Sequence, residues 1–295
     1  MIKATLFITS ILLLHQAWLQ TYKAPWLTLP DRANRPNHNR KDLLLSVTPD
    51  SLPIDTGSVY WIHVPTDRDL IRAAIATPTG AGPLPTVVIL HGTHGFAREY
   101  VQIARNGMVG VAACWFAGRR GDGVRFITPI DCPDAPPLAD ASDVDRFRIA
   151  RRSIDSLVRR LGTLSCVRAS QLVLFGHSLG GGAALDYILT HPDKVRGVTL
   201  NSSGYPPEVT KRAAAEIQIP LLLLHGTADS PVDGGSALTV TRMARQLEAA
   251  MRVAHKPIEV NYYEGSGYNG IFSDSTQFDD TVHRLVSFVR NHVAK

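Results

Sequence analysis

Four continuous apolar runs restrict the fold most: residues 86–90, 108–115, 172–175 and 219–224. A strand with one wet face alternates apolar and polar residues. A strand apolar at every position is buried on both faces, the mark of a parallel sheet covered by helices. Helical patterns fill the intervals. Residues 143–161 are the clearest, with Phe147, Ala150, Ile154, Leu157, Val158 and Leu161 at spacings of three and four, Ser142 as cap and Gly162 as stop. Further helices are expected at 97–106, 179–190, 235–252 and 278–292. Further strands are expected at 59–64, 70–76, 195–200 and 258–263, the first two as an antiparallel hairpin. Alternating strand and helix predicts one α/β domain over residues 57–295, a mostly parallel eight-stranded sheet with helices on both faces.

The chain ahead of that domain reads differently. Lys3 precedes an apolar run from Ala4 to Leu14 that Ala17 to Leu19 extend. Residues 1–19 therefore read as a secretory signal peptide or, because the cleavage signal around Ala17 is poor, as an uncleaved membrane anchor. Residues 20–56 are rich in Pro, Asn, Arg and Asp, lack periodicity, and read as a spacer. Export to the periplasm or the exterior follows as an expectation. The charge supports this division. The net charge is +5, and residues 1–42 hold six basic and two acidic residues. The rest is nearly balanced, which argues against a nucleic-acid partner.

The chemistry concentrates where one strand turns into a helix. Gly176-His177-Ser178-Leu179-Gly180 follows the run 172–175 and opens the helix 179–190. G-x-S-x-G in this setting lifts a serine on a tight turn, at the positive end of a helix and beside an unpaired N–H. His177 at its variable position reads as a packing residue. A second glycine turn, His91-Gly92-Thr93-His94-Gly95, ends the run 86–90. A third segment, Leu224-His225-Gly226-Thr227-Ala228-Asp229, ends a buried run with an acid in the turn.

With these motifs the chain resembles the α/β-hydrolase family, in particular its dienelactone-hydrolase-like and polyester-hydrolase-like esterases. The resemblance covers residues 57–293. It implies a carboxylic-ester hydrolase with Ser178 as nucleophile and Asp229 as triad acid, Asp233 being the substitute. It also implies an oxyanion hole from the N–H groups of Thr93 and Leu179, and a small-molecule ester as substrate. His94, Trp115 and Phe116 lie where the family lines its substrate cleft; core packing is the other reading of the two aromatics. No cofactor is implied. A metal at His91 and His94 is disfavoured, because that spacing wants a helix.

One position departs from the family. The base is expected in the loop after the last strand, which reads Glu264-Gly265-Ser266-Gly267-Tyr268-Asn269-Gly270. Tyr268 stands where the histidine should be. An ordinary phenol, with pKa ~10, is a poor proton acceptor at neutral pH. His283 reads as a surface residue of the last helix, and His255 precedes a strand at its wrong end. The alternatives are an esterase of reduced activity, or a catalytically degenerate ligand-binding or scaffold protein on the same fold. In an exported chain Cys114 and Cys132 can form a disulfide that pins the long loop 116–141, leaving Cys166 free; three buried thiols are the alternative.

Overall fold

The computed structural model describes residues 57–66, 70–80, 82–92, 103–116, 143–233 and 235–294. The expected signal or anchor, the spacer, Thr93, His94 and Cys132 lie outside them. Eight strands form one sheet: β1 (Gly57–Pro65), β2 (Leu70–Pro78), β3 (Leu84–Leu90), β4 (Val109–Cys114), β5 (Val167–His177), β6 (Gly197–Asn201), β7 (Leu221–Gly226) and β8 (Ile258–Tyr263). Their spatial order is β1-β2-β4-β3-β5-β6-β7-β8. The pairs β1–β2 and β2–β4 are antiparallel, and every other pair is parallel. Every residue of β4, β6 and β7 is buried, as expected of strands covered on both faces.

The helices are α1 (Asp143–Leu161), α2 (Leu179–Thr190), α3 (Pro207–Glu216), α4 (Thr241–Val253), the short α5 (Gly270–Ser273) and α6 (Ser275–His292). Neighbouring members of the series α1, α2, α3 and α4 touch one another and form one layer. α6 packs on β6 and β7. There Phe288 fills the space over Gly197, and Arg290 donates to the Asn106 carbonyl at 3.0 Å. Among the described residues no helix is long and apolar enough to cross a membrane.

The sequence expectations differ from the fold at few points. Helix α3 was not foreseen: only Thr210, Ala213 and Ala214 of its ten residues are buried, too few for an apolar stripe. Helix α4 starts at Thr241 rather than 235, because Gly235 and Ser236 belong to a turn closed by Thr239. Helix α6 starts at Ser275, where the Asp274 side chain accepts from the N–H groups of Thr276 and Gln277. β5 runs back to Val167 through exposed Arg168, Ala169 and Ser170, which hold no apolar signal.

Candidate active site

The site lies at the carboxyl edge of the sheet, where β3, β5, β6, β7 and β8 deliver their loops side by side. β5 ends at His177 and α2 begins at Leu179, so Ser178 makes the whole turn. Its backbone has φ 54° and ψ −118°, in the left-handed half of φ space that a side chain ordinarily avoids. Such strain persists only where the surroundings over-determine it. Here a side chain on Gly180 would run into the Leu90 carbonyl, and Gly92 lies so close that a Cβ there would come within 2.8 Å of Ser178 Cβ. The His91-Gly92 turn therefore abuts Ser178 directly. Ser178 is half-buried and Leu179 opens the helix, so the Leu179 N–H is one of the four that have no acceptor inside the helix.

The turn after β3 is braced from behind. His91 is buried, and its Nδ1–H donates to the Gly92 carbonyl at 2.8 Å. Burial pushes its pKa down to about 4, so the ring is neutral at pH 7. The Trp115 indole N–H donates to the His91 carbonyl at 3.1 Å, and the Phe116 ring packs 4.6 Å from the His91 ring. Trp115 is 0% exposed and Phe116 3%. Both rings are buried, and the groups they touch include the brace of the turn.

The acid loop follows β7. Asp229 is buried, and its Oδ1 accepts from the Thr239 hydroxyl at 3.1 Å. His225 Nε2 lies 3.4 Å from Asp229 Oδ2 and donates to the Thr239 carbonyl at 2.6 Å. Burial pushes His225 down to about 4 as well, so the ring beside the carboxylate is neutral at pH 7, not an ion. The loop is knitted to the one that carries Tyr268. The Ala228 N–H donates to the Ser266 carbonyl at 2.9 Å, and the Gly265 N–H donates to the Thr227 hydroxyl at 2.8 Å.

Tyr268 is 2% exposed, and its hydroxyl donates to Ser178 Oγ. The side chain that stands at the expected base position thus reaches Ser178. The other histidines weighed from the sequence do not. His283 is exposed on α6 beside Glu259, Asp280 and Arg284, and His255 is exposed ahead of β8. The side chain of Asp233, the substitute acid, is not among those described. His177, read as a packing residue, is buried, and its Nδ1–H donates to Asn201 Oδ1 at 2.6 Å. Asn201 was missed. The available signal was a polar residue ending β6, one strand from Ser178.

Among the described residues no group of three or more His, Cys, Asp or Glu side chains could hold a metal ion. Cys114 is disulfide-bonded and Cys166 is free.

Similarity to known proteins agrees with this fold. The chain is 23% identical over 229 residues to a probable 2-oxo-3-(5-oxofuran-2-ylidene)propanoate lactonase from a Bradyrhizobium species, covering 72% of this chain and 84% of that one. Among solved structures, a dienelactone hydrolase-like promiscuous phosphotriesterase from metagenomic libraries superposes with TM-score 0.61 and 16% identity, over 80% of this chain and 99% of that one. A dienelactone hydrolase homologue from Klebsiella pneumoniae gives TM-score 0.58 and 17% identity, over 80% and 100%. At these identities the structural likeness speaks for the α/β-hydrolase fold alone. Residues 71–280 match the dienelactone hydrolase family itself, and the chain is a hydrolase belonging to that family.

Proposed function

We propose that the protein is a serine hydrolase of carboxylic esters, lactones included, working through an acyl-enzyme on Ser178. The observation that carries this reading is the strained, half-buried Ser178 with the Tyr268 hydroxyl on its Oγ. Ser178 Oγ attacks the acyl carbonyl and forms a C–O bond. The carbonyl oxygen takes the negative charge and is met by the Leu179 N–H and, as the family resemblance implies, by that of Thr93. The bond to the alcohol then breaks, and water attacks the acyl-enzyme to release the acid.

Tyr268 sets the rate. Only its phenolate accepts the serine proton, which it passes on to the departing alkoxide. Ordinary phenols are almost wholly protonated at neutral pH, with pKa ~10. Activity therefore rises with pH into the alkaline range, where a histidine base would already be saturated. Asp229, held by the Thr239 hydroxyl, steadies the loop on which Tyr268 sits. Export of the chain belongs to the same proposal, and the disulfide at Cys114 favours it, since such bonds persist in oxidising compartments.

A fluorophosphonate probe and p-nitrophenyl acetate test the reading. The expected result is covalent labelling of the parent chain, slow at neutral pH and faster at pH 9, with none in Ser178→Ala. No labelling at either pH would leave a ligand-binding protein on the hydrolase fold.

A further inference from the structure

His177 stands where three parts of the site meet. Its Nδ1–H donates to Asn201 Oδ1 at 2.6 Å. That bond follows from sheet register, because β5 and β6 pair His177 directly with Asn201. Both residues are buried. The far edge of the imidazole faces the turn after β3: His177 Cδ2 lies 3.2 Å from the point a Cβ on Gly92 would occupy. The ring then leans on Tyr268, with centroids 5.2 Å apart and planes at 46°. Asn201 also fixes the nucleophile, since its carbonyl accepts the Ser178 N–H at 2.9 Å. One residue of β6 therefore holds the serine through its main chain and the imidazole behind Tyr268 through its side chain.

We propose that His177 is the positioning residue of this site: clamped by Asn201, it backs the Tyr268 ring and keeps its hydroxyl on Ser178. The proposal rests on Ser178 and Tyr268 being the reacting pair. Tyr268 stands in the connection between β8 and α5, outside both elements, so its ring needs a wall to fix its direction. A misplacement of about 1 Å between reacting groups is enough to cost on the order of 100-fold in rate. The bond to Asn201 fixes the rotation of the imidazole, as a hydrogen bond behind a functional ring commonly does.

A double-mutant cycle tests this. His177→Phe keeps a ring but loses the bond to Asn201; Asn201→Leu removes the acceptor and leaves the imidazole. Each is made alone and combined with Tyr268→Phe, and thermal unfolding confirms that each variant is folded. The readouts are the fluorophosphonate labelling rate and kcat and KM for p-nitrophenyl acetate. Each single change is expected to lower the labelling rate and kcat about 100-fold with KM nearly constant, and to cost nothing further when Tyr268→Phe is present. Losses that persist in full alongside Tyr268→Phe would make His177 a packing residue of the turn and overturn the proposal. So would single variants with parental rates. If His177→Phe does not fold, Asn201→Leu decides, being close in volume to the residue it replaces. If Tyr268→Phe alone leaves labelling unchanged, or the parent is never labelled, the reacting pair itself is wrong and the role of His177 falls with it.

Discussion

The two halves of the site are built by different means. On the side of β3 and β5 the geometry is made of main chain: Gly180 against the Leu90 carbonyl, Gly92 against Ser178, and a serine in left-handed backbone between them. On the side of β7 and β8 it is made of side chains: Asp229 bonded to Thr239, His225 beside it, and Tyr268 reaching over to Ser178. A main-chain device fails sterically when a residue is changed, so its glycines are irreplaceable. A side-chain device can exchange one residue for another and keep the fold, altering only the chemistry. In the proposed mechanism Tyr268 is such an exchange: its hydroxyl meets Ser178, with a different proton affinity from the imidazole that the family resemblance implies.

Substitutions break this contrast in order of severity. Gly180→Ala drives a methyl group into the Leu90 carbonyl and is expected to destabilise the fold by about 3 kcal/mol or more, read as a fall in the urea midpoint. A milder effect would mean the main-chain half has slack. On the other side, Thr239→Val removes the donor to a buried carboxylate and is expected to cost about 1.5–3 kcal/mol. A cost as large as that of Gly180→Ala would erase the distinction between the halves.

Acid provides the next test. His91 and His225 are buried neutral, with pKa values pushed down to about 4 from 6.5. Between those values the unfolded chain binds protons that the folded chain refuses. Their contribution to stability is therefore complete above pH 6.5 and drains away as the pH falls toward 4, at about 1.4 kcal/mol per unit for each ring. His225→Gln is expected to flatten the fall in unfolding free energy over that window by one ring's share. An unchanged slope would mean that His225 is not held neutral. The smallest effect is expected from His283→Ala and His255→Ala. Both rings are exposed away from the site, so stability should move by less than about 0.5 kcal/mol and labelling should not change.

The same contrast explains what the sequence disclosed. The sheet was readable because its central strands carry short continuous apolar runs, and the turn at Ser178 because its glycines mark a contact that tolerates no side chain. Tyr268 and Asp229 were singled out through family resemblance; in the fold Tyr268 is bonded to Ser178 and Asp229 to Thr239. The bonds among side chains were not. His177 and Asn201 are separated by 24 residues and meet only because β5 and β6 lie in register. The Thr239 hydroxyl reaches Asp229 through a turn of mostly small residues that reads, along the chain, as the start of α4. Trp115 and Phe116 show the same limit, since nothing in an aromatic pair after a strand says whether it faces ligand or core.

Tyr268→His tests the central claim most directly, because it changes the proton acceptor while the strained serine keeps its place. The hydrolysis of p-nitrophenyl acetate at pH 7 is expected to rise at least about 100-fold, the usual range for a well-placed acid–base group, and to lose its alkaline dependence. A rate and pH profile identical to those of the parent would show that the residue at 268 does not handle the proton of Ser178.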